Sequence, residues 1–130
     1  MSDAQQRARG STSSAISNGA VRLFHEYTGR GPTKARTTIN DDNVVILFGD
    51  VLTKGERKLA ENGAADAVIQ MRHRFQNAMR EDLIAMVEEH VGRTVVAFMS
   101  ANHISPDMAA EIFILEPLGD DEQMATLPVA

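Results

Sequence analysis

Cysteine and tryptophan do not occur in this 130-residue chain, and tyrosine occurs once. Without cysteine there is no disulfide, no thiolate zinc site, no iron–sulfur ligation and no cysteine nucleophile. The absence also suits a reducing compartment, so a cytoplasmic location is expected. Long apolar runs are missing as well. The longest, residues 44–48, has the length of a strand and falls far short of the ~18 residues of a membrane span. The first 14 residues are polar and small, unlike the apolar centre of a secretory signal. Direct membrane insertion is therefore not expected. Positive charge is also scarce: 13 Lys and Arg face 18 Asp and Glu, for a net charge of −5. Nucleic acid is not an expected partner, because binding to a phosphate backbone depends on clustered positive charge.

What is present suffices for one domain with one core. A hydrophobic fraction of 43% in a chain of this length can bury enough surface to fold without covalent staples. Residues 1–13 read as a flexible N-terminal arm. From Ser14 the pattern turns helical: Ile16, Ala20, Leu23, Phe24 and Tyr27 recur at three- and four-residue steps. Gly29 suits the left-handed cap, and Pro32 prevents continuation. A period of two follows, with Ala35, Thr37 and Ile39 on one face and Lys34, Arg36 and Thr38 on the other. The Asn40, Asp41, Asp42, Asn43 cluster is turn chemistry. Residues 44–48 return as the second strand of a hairpin, and their continuous apolarity suits an inner position.

Thr53 and Glu56 match a capping box, which predicts a short helix to about Asn62, with Gly63 ending or interrupting it. The strongest helical signal covers residues 64–90, where Val68, Met71, Phe75, Ala78, Leu83, Met86 and Val87 keep near-helical spacing. Such a rod is about 39 Å long at 1.5 Å per residue. That exceeds what a small sheet needs, so a second copy of the chain is expected against its apolar side. Gly92 ends it. Residues 93–99 read as a third strand, with Val96 and Phe98 on one face and Val95, Ala97 and Met99 on the other. A connection over 100–107 leads to a fourth strand in which Glu111, Phe113 and Leu115 share a face.

The order α-β-β-α-α-β-β predicts an α+β, two-layer fold: a four-stranded antiparallel sheet of two β-hairpins with helices on one face. Apolar residues on both faces of the second and third strands leave the other side in need of a subunit. Residues 14–116 form the single domain, and 117–130 are expected to be an acidic disordered tail.

Catalytic motifs are missing. The four histidines, His25, His73, His90 and His103, do not pair at metal-ligand spacing, and no metal is implied. G-x-S-x-G, the phosphate loop and the dinucleotide loop are absent, so no cofactor is expected and the chain does not read as an enzyme. Gly29-Arg30-Gly31-Pro32 could face an anion, but it follows a helix C-terminus, where the dipole opposes one. The basic residues are the remaining candidates. Arg30, Lys34 and Arg36 cluster around the first strand, and Arg72 and His73 lie on the long helix. If these five lined one cleft, they would suit a carboxylate, phosphate or nucleotide. The acids Glu116, Asp120, Asp121 and Glu122 offer opposite charge to the basic strand, in cis or in trans.

Several segments together resemble a known family. They are Gly29-Arg30-Gly31-Pro32, the hairpin, Gly49-Asp50-Val51-Leu52-Thr53-Lys54-Gly55-Glu56, Val91-Gly92-Arg93-Thr94-Val95-Val96, and Glu111-Ile112-Phe113-Ile114-Leu115. The likeness, over about residues 14–116, is to the MpsC-like (YbcI-like) family, long catalogued as a domain of unknown function. It implies a small cytosolic accessory protein associated with a sodium-translocating, membrane-potential-generating system, relatives of which handle inorganic carbon. No catalytic residue carries over. Two functions are open at this point. One is a non-enzymatic regulatory module, a homodimer or higher homo-oligomer, that docks on a membrane-transport assembly. The other is a small-anion or nucleotide sensor using Arg30, Lys34, Arg36, Arg72 and His73.

Overall fold

The computed structural model describes residues 2–118. The expected tail, apart from its first residues, lies outside them, and so does its proposed contact with the basic strand. The order of elements is the expected one: α1 (Asp3–Thr28), β1 (Lys34–Ile39), β2 (Asn43–Gly49), α2 (Lys54–Leu59), α3 (Ala65–Val91), β3 (Val95–His103) and β4 (Met108–Leu115). The four strands form one antiparallel sheet in the order β1-β2-β4-β3. Each hairpin contributes an edge strand, and β2 meets β4 at the centre.

The core lies between the sheet and the two long helices. Ile16, Ala20 and Phe24 come from α1, Met79, Leu83 and Val87 from α3, Val44, Ile46 and Phe48 from β2, and Phe113 and Leu115 from β4. Phe24 meets Phe48 and Phe98 meets Phe113 in tilted pairs at 4.8 and 5.1 Å. Where the helices cross, a Cβ on Gly19 would lie 3.1 Å from the Met86 side chain, so the small residue sets the approach. Tyr27 also donates to Asp82 across this contact, at 2.6 Å.

Several boundaries and faces differ from the sequence expectation. α1 begins at Asp3 rather than near Ser14, because Ser2 and Gln5 make a reciprocal capping box. Apolar periodicity could not report this part, because residues 2–11 are exposed. β3 runs on to His103, so the hairpin connection is shorter than predicted. The register slips between Val95 and Ala97. This bulge makes Val96 the extra residue and puts Val95 opposite Leu115 and Phe98 opposite Phe113. Val95 therefore shares the helix side with Phe98, and strict alternation had placed it on the other face.

α3 is the unbroken rod expected, but its buried side differs. Val68, Arg72, Gln76, Met79, Leu83 and Val87 point inward, whereas Ala78 is exposed and Met71, Phe75 and Met86 are half-buried. α1 packs along it, and among the described residues the large exposed apolar ones, Leu59, Val96, Met99, Met108 and Leu118, all lie outside α3. α1 therefore covers part of the apolar side on which a second copy was argued.

Candidate functional site

The helices cover one side of the sheet only. On the other side β2 presents Val45 and Leu47, β4 presents Ala110, Ile112 and Ile114, and β3 presents Ala97, Met99 and Ala101. Adjacent strands bring these into one apolar band across the middle of the sheet. Met99 is half exposed, at 50%. Lys34 and Arg36 border the band on β1, and none of the four strands places an acidic residue on this side. In a chain of net charge −5, the Lys and Arg side chains that the strands place on this side are both on β1, beside Thr38.

The five basic residues proposed from sequence do not share a cleft. Arg30 is paired with Asp50 at 2.8 Å. Lys34 and Arg36 are exposed on the open side of β1. Arg72 is buried on the helix side, 5.8 Å from the Phe24 ring centre, and its neighbour His73 is exposed. The sheet itself separates Arg72 from Lys34 and Arg36.

Behind the open face lies a polar centre that sequence reasoning did not assemble. Glu111 on β4 is fully buried. Its Oε1 accepts from Gln76 Nε2 of α3 at 2.8 Å, and its Oε2 takes a hydrogen bond from Ser100 of β3. Gln76 and Asn102 exchange a reciprocal amide pair at 3.2 and 2.8 Å. One turn before Gln76, Arg72 Nη1 donates to Glu56 Oε1 at 3.3 Å. The same oxygen accepts from the Thr53 backbone N–H at 2.8 Å and completes the capping box of α2. Glu56 Oε2 and Arg72 Nε and Nη2 are buried without a partner. Burial pushes the Glu111 carboxyl up to about 7, against the opposing pull of Ser100, Gln76 and the Arg72 charge. One signal was available in the sequence: Glu111 alternates with Phe113 and Leu115, so a carboxylate had to sit on a core face.

A second cluster closes the end of the sheet. Asp50, with φ of 58°, accepts from Arg30, from Thr33 at 2.8 Å and from Arg57 at 3.2 Å. The Arg30 and Thr33 contacts hold its carboxyl down to about 2. The Asp107 carboxylate accepts from the backbone N–H groups of Val51 and Leu52 at 3.1 Å each and from Arg57 at 3.3 Å. An open cavity of about 490 Å³ lies beside them, lined also by Leu52, Ala60, Glu61 and Ile104. The segments Gly29-Arg30-Gly31-Pro32 and Gly49-Asp50 thus meet in space, and their charged residues serve as a clamp on two loops.

Among the described residues no group of His, Asp and Glu is arranged to hold a metal ion, and no helix is long and apolar enough to cross a membrane. Compared with known families, residues 8–117 match the model described as "Na+-translocating membrane potential-generating system (MpsC)". No curated protein and no solved structure matches the chain.

Proposed function

We propose that this chain, which belongs to the MpsC family, is a non-enzymatic cytosolic accessory protein of a sodium-translocating system that acts by self-association through the open face of its sheet and by docking to a larger assembly. One observation carries the reading: among the described residues nothing covers the apolar band of Val45, Leu47, Ile112, Ile114 and Met99, while the other side of the same sheet is closed by two helices. Antiparallel sheets tolerate one wet face when that face is polar. This one is not, and its removal from water would contribute roughly 25 cal/mol per Å² of apolar area.

The occupant is a second copy of the chain. A two-fold axis across the strands would set β1 over β1 and oppose Lys34 and Arg36 with their own copies. An axis along the strands sets β1 over β3 instead. The basic stems then lie on Met99 and Ala97, and the charged heads reach water. Methionine suits such a contact because its side chain adapts to the facing surface. The resulting dimer presents its helical sides outward to the larger assembly.

Size-exclusion chromatography with light scattering tests the reading. The wild-type chain is expected at twice its monomer mass at micromolar concentration, and Ile112→Lys at the monomer mass with an unchanged far-UV spectrum. A wild-type chain that stays monomeric under those conditions refutes the dimer.

A further inference from the structure

The stretch between β2 and α3 has an unusual seat. It is bounded by two left-handed residues, Asp50 at φ 58° and Gly63 at φ 85°. Between them, α2 and the wide turn Ala60–Ala64 bury one side chain, that of Glu56. Segments of a domain normally anchor by apolar contact. Val51 and Leu52 are buried at its start, but from Thr53 onward the buried anchor is a carboxylate whose partner is the buried guanidinium of Arg72, with the exposed pairing of Arg57 to Asp50 and Asp107 beside it. Arg57, Ala60 and Glu61 of the same stretch form one wall of the 490 Å³ cavity, opposite Ile104 and Asp107 of the β3–β4 hairpin.

Arg72 has two claimants. Glu56 holds it by a single contact of 3.3 Å, and two of its donors are free. Glu111 lies near enough for the Arg72 charge to act on it, yet the two are not paired. Two carboxylates and one cation share this interior, so a second negative charge has no counter-ion of its own. The remaining surroundings of Glu111 carry no charge: Gln76 from α3, Ser100 and Asn102 from β3, and Ile46 beside it on β2. Glu56 on α2 bears on it through Arg72. α1 contributes to this group only the Phe24 ring at Arg72. The Ser100 hydroxyl can donate to an ionised Glu111 or accept from a protonated one, so both states are accommodated.

We propose that residues 53–64 are a latch on the cavity, held shut by the Glu56–Arg72 pair and released when Glu111 gives up its proton and draws Arg72 away. With Glu111 neutral, Arg72 and Glu56 neutralise each other and α2 is seated. With Glu111 ionised, the free Nε and Nη2 donors turn to it, and the only buried residue of the latch loses its partner. Gly63 absorbs the backbone change at one end, and at the other the movement stops before Leu52, which is buried and held by Asp107. The pH at which the latch opens is set by burial of Glu111, which places the transition near neutrality. The latch operates within one chain and does not depend on the dimer.

The test is amide hydrogen exchange on the full chain from pH 5.5 to 8.5, with rates corrected for intrinsic base catalysis. Protection of residues 53–64 in the wild type should fall about tenfold between pH 6 and 8, the scale of one unit of local opening equilibrium. Protection in β2 and β4 should stay constant. Glu111→Gln should hold the latch shut across the range, and Glu56→Gln should leave it unprotected throughout. Ser100→Ala removes a donor that favours the carboxylate, so it should move the fall to higher pH. That variant decides the matter if Glu111→Gln does not fold. Equal falls in wild type and Glu111→Gln, an unmoved fall in Ser100→Ala, or a fall shared by the central strands would each overturn the proposal.

Discussion

Replacing Glu111 with glutamine should make the protein's stability insensitive to pH where the wild type is most sensitive. The side chains are nearly isosteric. The introduced glutamine can still accept from Gln76 through its oxygen and can donate to Ser100 through its amide, so the geometry of the polar centre survives. What disappears is the proton. In the folded chain the Glu111 carboxyl is raised from 4.5 to about 7. Its contribution to stability is fully present below about pH 4.5 and is lost as the pH rises through about 7, because the folded state then buries a charge that the unfolded state solvates. A shift of about 2.5 units corresponds to about 3 kcal/mol in total, of which about 2.5 kcal/mol falls between pH 5 and pH 8. Asp50 does not confuse this window. Its carboxyl is lowered to about 2, so its contribution is present above about pH 3.8 and changes only in acid.

Urea denaturation at pH 5, 6, 7 and 8 reads the effect directly. With a slope of about 1–3 kcal/mol per molar urea, the wild-type midpoint should drop by about 1 M or more across that range. The Glu111→Gln midpoint should stay level and exceed the wild type at pH 8. If both proteins lose stability in parallel, Glu111 is not the titrating group and the buried polar centre does not carry the pH dependence.

Other outcomes follow from the same structure. Asp50→Asn should flatten the acid limb of the stability curve between about pH 4 and 2, because the titrating carboxylate and its ion pairs to Arg30 and Arg57 are absent at every pH, as an acid titration followed by circular dichroism would show. Phe113→Ala, which empties a fully buried position against Phe98, should cost about 3–5 kcal/mol in chemical denaturation. Gly19→Val should cost about 1–3 kcal/mol, since the added carbons meet Met86 where α1 crosses α3, and Met86→Ala should recover part of it in a double-mutant cycle. Ile112→Lys on the open face should change the chain's own stability by less than about 1 kcal/mol in a monomeric form while abolishing self-association, a separation that a core lysine could not give.

Much of the architecture was legible because local chemistry and tertiary need agree. Gly29 and Gly92 do adopt the left-handed conformation at the ends of α1 and α3, with φ of 77° and 67°. Thr53 and Glu56 do form a capping box, and residues 35, 37 and 39 do turn inward while Lys34 and Arg36 turn out. The early start of α1 was not legible, since a solvated helix leaves no apolar period to detect. The bulge at Val96 was not legible either, because alternation reports a face only while the register is regular.

The site was harder to read than the fold. Basic residues close in sequence, Arg30, Lys34 and Arg36, went to different duties, one into a clamp with Asp50 and two onto the open face. Arg72, read as a candidate lining residue of an anion cleft, is among the most buried side chains of the described residues. A guanidinium in a core is tolerated only where a carboxylate meets it, and that carboxylate comes from Glu56, sixteen residues earlier.

The sequence by itself determined the number and order of the elements and the antiparallel hairpins. These depend on period, caps and turns, all properties of neighbours along the chain. Tertiary structure alone decided which side of the sheet the helices would cover, and therefore which apolar residues lie on the side the helices leave open. It also decided that Glu56 would pair with a buried guanidinium beneath them and that Glu111 would be buried near it without pairing. Burial and charge compensation depend on distance in space between residues far apart in sequence, and no pattern along the chain records that distance.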